Sequence, residues 1–68
     1  MITFDDLDQR TGRYARVRWK DVGLSDGLVL EAHEDNFLFY DLNSKVVHKV
    51  EYDQLVKLGP VLQDVPEF

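Results

Sequence analysis

The side chains that most often carry chemistry are sparse in this chain. His33 and His48 are its only imidazoles. They fall in different strand-like segments and match no metal-ligand spacing, such as two histidines one helical turn apart. His48 alternates with valines in Val46-Val47-His48-Lys49-Val50, where a histidine reads as part of a core. The serine and threonine hydroxyls after Thr3 are Thr11, Ser25 and Ser44. Each sits beside a turn and none lies near a histidine in sequence, so no nucleophile–base pair is indicated. There is no glycine-rich phosphate loop. There is also no cysteine, which removes thiolate metal sites and disulfides together. The acids are scattered over polar turns. The expectation is a chain that is not an enzyme and has no cofactor and no metal.

What stands out instead is a basic strip. Arg10, Arg13, Arg16, Arg18 and Lys20 are five of the eight basic residues, although the chain as a whole carries a formal charge of −5. An acidic chain is repelled by nucleic acid and by anionic membranes, since affinity for either begins with Lys and Arg neutralising phosphates. The strip is therefore either a solvated strand face or a surface that meets a partner. Trp19 stands inside it. Aromatics and Arg supply much of the energy of protein interfaces. The candidate partner-binding residues are accordingly Arg16, Arg18, Trp19 and Lys20, with the Asp21–Gly27 loop and the aromatic surplus Phe37, Phe39 and Tyr40.

The elements that must position these residues are short. With 68 residues the chain is one domain, residues 1–68, with its core at about 13–60. A domain of this size buries only about 60% of its unfolded surface, and oligomerisation is a usual remedy for so thin a core. Thr3 to Gly12 reads as a helical turn, with Thr3 as N-cap, Asp5 and Asp6 where the helix N-terminus favours negative charge, and Phe4 and Leu7 on one face. Tyr14 to Lys20 alternates: Ala15, Val17 and Trp19 face one way, Tyr14, Arg16, Arg18 and Lys20 the other. Asp21 to Gly27 reads as a loop closed by Asp26-Gly27. Leu28 to Glu34 is a second strand, with Leu28, Leu30 and Ala32 as the apolar face.

Glu34-Asp35-Asn36 is a polar turn. Phe37 to Leu42 is apolar on both faces, so alternation leaves its register open. It is either a central strand covered on both sides or one whose outer face meets a partner. After the turn Asn43-Ser44-Lys45, Val46 to Tyr52 is a fourth strand. Asp53-Gln54-Leu55 is a 3₁₀ turn, and Val56-Lys57-Leu58 is a fifth strand ended by Gly59-Pro60. The tail, residues 61–68, either lies along an edge or is mobile. The chain opens Met1-Ile2-Thr3-Phe4-Asp5-Asp6, without the basic and apolar regions of a signal peptide. No apolar run approaches the roughly 20 residues that span a bilayer. A cytoplasmic protein that makes no use of a membrane is expected.

Two resemblances follow from these segments. Arg16-Val17-Arg18-Trp19-Lys20-Asp21 and Asp26-Gly27-Leu28-Val29-Leu30-Glu31-Ala32 resemble the opening hairpin of Tudor and related SH3-like barrels. Tyr52-Asp53-Gln54-Leu55-Val56-Lys57-Leu58 is similar to their closing 3₁₀ turn and last strand. The resemblance implies a mostly β fold: a small five-stranded antiparallel SH3-like (Tudor-like) barrel, with a short N-terminal helical turn and a 3₁₀ turn before the last strand. Tudor domains often hold methylated Lys or Arg in an aromatic cage. Trp19 matches one cage wall and Tyr40 could match another, but Leu28 and Asp41-Leu42-Asn43 stand where further aromatics would be, so Trp19 reads more readily as core. Asp26-Gly27 with Asp35-Asn36-Phe37-Leu38 is similar, in turn, to the pattern of Sm-like RNA-binding proteins. Their later Arg-Gly segment has no counterpart in Val46 to Tyr52.

The expected function is a non-catalytic protein-interaction module or small accessory regulator, whose partner is another protein or a second copy of the chain. One alternative is an Sm-like or Tudor-like nucleic-acid binder using the basic first strand. Another is an acidic inhibitor of a nucleic-acid-binding protein, presenting Asp41, Glu51 and Asp53.

Overall fold

The computed structural model describes residues 2–62. In chain order it contains a helix α1 (Phe4–Asp8), strands β1 (Tyr14–Trp19), β2 (Gly23–Ala32), β3 (Asn36–Asp41) and β4 (Val46–Glu51), a 3₁₀ turn (Tyr52–Gln54) and a last strand β5 (Leu55–Val61). The strands form one antiparallel sheet in the order β4-β3-β2-β1-β5. The mostly β fold, the five antiparallel strands, the short helix and the 3₁₀ turn agree with the sequence-based expectation. β4 and β5 are the two edges and do not pair with each other.

The helix begins where Thr3 donates its backbone N–H to the Asp6 carboxylate at 2.9 Å. This is half of a capping box, and it ties down the first turn. The helix ends short of Gly12, whose φ of +80° suits glycine and whose N–H donates to the Val29 carbonyl at 2.8 Å. Leu7 is fully buried, while Phe4 on the same helix stays partly exposed.

The largest departure lies in the first hairpin. Asp21 to Gly27 is mostly strand, and only residues 20–22 turn the chain. Trp19 pairs with Gly23, Val17 with Ser25 and Ala15 with Gly27. Gly23, at φ +90°, supplies the left-handed residue that the tight turn needs. Asp26-Gly27 lies mid-strand and is no turn at all.

This changes which side of β2 is inside. Ser25, Gly27 and Val29 face the core, and Leu28 and Leu30 face outward. The expected assignment is reversed for those two leucines. Ala32 still reaches the core side, because the β2–β3 register shifts between Val29 and Glu31. The physical reason is volume. A Cβ on Gly27 would collide with the Tyr40 carbonyl oxygen and stand 2.5 Å from the Phe39 ring. The small residues of β2 make room for large ones opposite.

Those large residues form the core: Trp19 from β1, Phe37 and Phe39 from β3, with Leu7, Ala15, Val17, Val29, Val50 and Leu55. Phe39 meets both Trp19 and Phe37 edge-on, at ring-centre distances of 6.3 and 6.2 Å. Phe37 stacks on Tyr52 at 5.9 Å, and the Tyr52 hydroxyl donates to the His33 carbonyl. Trp19 also touches His48 at 5.1 Å. Since β1 and β4 are separated by two strands, this contact requires the sheet to curl around the core.

β5 extends beyond its expected end at Leu58 and runs through Gly59-Pro60 to Val61, which pairs with Ala15. The N–H of Leu62 then donates to the Tyr14 carbonyl at 2.8 Å. The start of the tail therefore continues β5 alongside β1, and the rest of it falls outside the described residues.

Candidate interaction surface on the first hairpin

The curled sheet sorts the seven candidate residues by face. Trp19, Phe37 and Phe39 point inward and are buried. The indole N–H of Trp19 donates to Ser25 Oγ at 3.0 Å, so its one polar atom is satisfied inside the core. Arg16, Arg18 and Lys20 are exposed. Tyr40 is half-buried on the outer face, with Leu28 and Val47 as its cross-strand neighbours. Trp19 and Tyr40 thus lie on opposite faces of the sheet, and no cage forms between them. The two-sided hydrophobicity of the third strand resolves in the same way. Phe37 and Phe39 belong to the core, while Leu38 and Tyr40 belong to the outer surface.

The outer face of the hairpin holds the most exposed large apolar side chain of this region. Leu24 keeps 67% of its surface in contact with solvent, and Val22 keeps 58%. Leu24 forms a ridge with a hollow on each side. One hollow, of about 580 Å³, is bounded by Val22, Leu24, Leu42, Asn43 and the Arg16–Asp26 pair. The other, of about 170 Å³, is bounded by Arg16, Arg18, Leu24, Lys57, Gly59 and Pro60. Lys57 and Pro60 were not among the residues that the sequence put forward, and Leu24 entered only as part of the Asp21–Gly27 segment read as a loop. The available signal was a leucine and a valine standing unexplained in an apparent loop.

Arg16 is held in place. Its guanidinium donates twice to the Asp26 carboxylate, from Nε at 2.7 Å and from the terminal nitrogen at 3.1 Å. The pairing is geometric, since Arg16 and Asp26 are register partners on β1 and β2. The hydrogen bond to Arg16 lowers the Asp26 pKa below its ordinary value, and the same bond raises that of Arg16. Both side chains remain well exposed, so the pair orders the surface more than it stabilises the fold.

The acids gather elsewhere. Glu34, Asp35, Glu51 and Asp53 surround a hollow of about 730 Å³ beside Tyr52, with Lys20 at its margin. Burial raises the Tyr52 pKa, and Asp8 and Asp35 add to the effect. Asp41 does not belong to that surface. It is buried, and its carboxylate accepts the backbone N–H of Asn43 at 2.8 Å, which shapes the β3–β4 turn. An acidic surface built on Asp41 is therefore corrected to one built on Glu51 and Asp53.

His33 and His48 stay apart in role. His33 Nε2 lies 3.2 Å from Glu31, and His48 packs on Trp19. Ser25 is occupied by the indole. Among the described residues no group of three or more His, Asp or Glu side chains could hold a metal ion. No helix among them is long and apolar enough to cross a membrane. No protein-family model, curated protein or solved structure matches the chain.

Proposed function

We propose that the chain is a non-catalytic protein-interaction module with an SH3-like (Tudor-like) barrel topology, and that the outer face of its first hairpin is the docking surface. The topology is supported by the strand order β4-β3-β2-β1-β5, by the register shift that bends β2, by the Trp19–His48 contact and by the 3₁₀ turn before the last strand. The observation that carries the docking surface is Leu24, a leucine two-thirds exposed between two hollows and bordered by Arg16 and Arg18. An apolar anchor rimmed by arginines is the usual composition of a small interface.

The test is affinity capture from the native host with the full chain and with Leu24→Asp. The substitution adds a charge at an exposed site, so the fold is retained and the melting curve stays where it was. The reading expects a captured protein that Leu24→Asp loses. Equal capture by both chains would refute it.

A further inference from the structure

Across the outer face, Leu24 of β2, Arg18 of β1 and Lys57 of β5 stand in one cross-strand row. Arg18 and Lys57 are direct register partners, both are exposed, and both border the smaller groove. Like charges directly opposite one another destabilise an antiparallel pair. Neither side chain has a hydrogen-bond or ion-pair partner among the described residues, whereas Arg16 beside them is committed to Asp26. Yet the chain holds 13 acidic residues against 8 basic ones, and an acid at either position would have formed a favourable pair. A lysine on an exposed edge strand is a common guard against unwanted strand pairing, which accounts for Lys57. It does not account for Arg18, which lies on an interior strand between β2 and β5.

The floor of the groove explains why a ligand can approach. A Cβ on Gly59 would stand 2.7 Å from the Arg16 carbonyl oxygen, so β5 runs close against β1 at a residue without a side chain. Leu24 and Pro60 supply apolar walls on either side.

Resting on the docking reading above, we propose that this groove binds an acidic peptide segment of a partner protein. One carboxylate would bridge Arg18 and Lys57, and a neighbouring apolar side chain would lie against Leu24 and Pro60. A bridging anion relieves the Arg18–Lys57 repulsion and takes charge-assisted hydrogen bonds from both. The groove has no aromatic wall on which a base could stack, which favours a peptide over a nucleic acid.

The experiment is a fluorescence-anisotropy titration of the full chain into a labelled peptide alternating Glu and Leu. A peptide alternating Ser and Leu and a single-stranded oligo(dT) are titrated in parallel. The Glu/Leu peptide binds saturably and more weakly as salt rises. The double variant Arg18→Gln/Lys57→Gln weakens it by roughly tenfold, the loss expected for a charged hydrogen bond. Lys49→Gln, a cation on the far edge strand, leaves binding unchanged. The Ser/Leu peptide binds roughly tenfold more weakly than the Glu/Leu peptide. The proposal is overturned if the Glu/Leu peptide does not bind, if oligo(dT) binds more tightly than the peptide, or if the double variant binds as wild type does. Should the peptide fail while Leu24→Asp still abolishes capture of the host protein, this inference falls and the docking reading stands. Should Leu24→Asp capture normally, the docking reading falls.

Discussion

The two faces of the first hairpin share a backbone and differ in what determines their residues. The inner face is set by volume. Trp19 meets Phe39 edge-on, Ser25 accepts the indole N–H, and Gly27 leaves no room for a side chain beside the Phe39 ring. The outer face around Leu24 is set less by packing within the chain. There Leu24 is exposed and Arg18 faces Lys57, while Arg16 and Asp26 satisfy each other. A like-charge pair with no partner among the described residues points to a requirement outside the fold. The inner face should therefore answer to stability measurements and the outer face to binding.

That contrast can be broken from either side. On the inner face, Phe39→Ala removes the ring that joins Trp19 to Phe37, and urea unfolding should show a loss of about 4 kcal/mol. Gly27→Ala should cost about 3 kcal/mol by the same measurement, because the added methyl meets backbone on one side and the Phe39 ring on the other. Ser25→Ala strands the Trp19 indole N–H in the core and should cost about 2 kcal/mol. On the outer face, Leu24→Asp should change unfolding by no more than about 0.5 kcal/mol, as surface substitutions usually do. If Leu24→Asp destabilises as much as Ser25→Ala, the two faces are not distinct.

Two pH effects come last in size. The Asp26 pKa is lowered in the folded chain, so the Arg16–Asp26 pair contributes above the ordinary carboxylate pKa of 3.8, and that contribution is lost as pH falls through the lowered folded value. Acid titrations should show Asp26→Asn removing a small part of the stability gained between those values. The Tyr52 pKa is raised, so its hydroxyl form supports the fold below pH 10.0, and that support is lost as pH rises toward the folded value. Tyr52→Phe should flatten the alkaline arm of the stability curve, read by circular dichroism.

How far the sequence could be read follows from the same contrast. Alternation in Tyr14 to Trp19 identified a strand and its faces correctly, because one side is apolar and the other charged. It failed in β2 because the inner positions there are Ser25 and Gly27. Neither is hydrophobic, and the leucines on either side of them, Leu24 and Leu28, point outward. Asp26-Gly27 has the composition of a turn, yet the glycine answers a close approach from β3 that lies 12 residues further along the chain at Phe39. No local rule contains that contact. The third strand was ambiguous for the opposite reason, since apolar residues on both faces leave nothing for alternation to separate. The charged residues of the candidate surface were legible on β1, whereas Lys57 and Pro60 join it only through the β1–β5 pairing.

The central claim is that the outer face of this hairpin meets a partner while its inner face does not. A photo-crosslinking amino acid at position 24, compared with the same group at position 49 on the far edge strand, tests it in the native host. The account predicts one discrete crosslinked product from position 24 and none of that product from position 49. Equal products from both positions, or none from position 24, would contradict it.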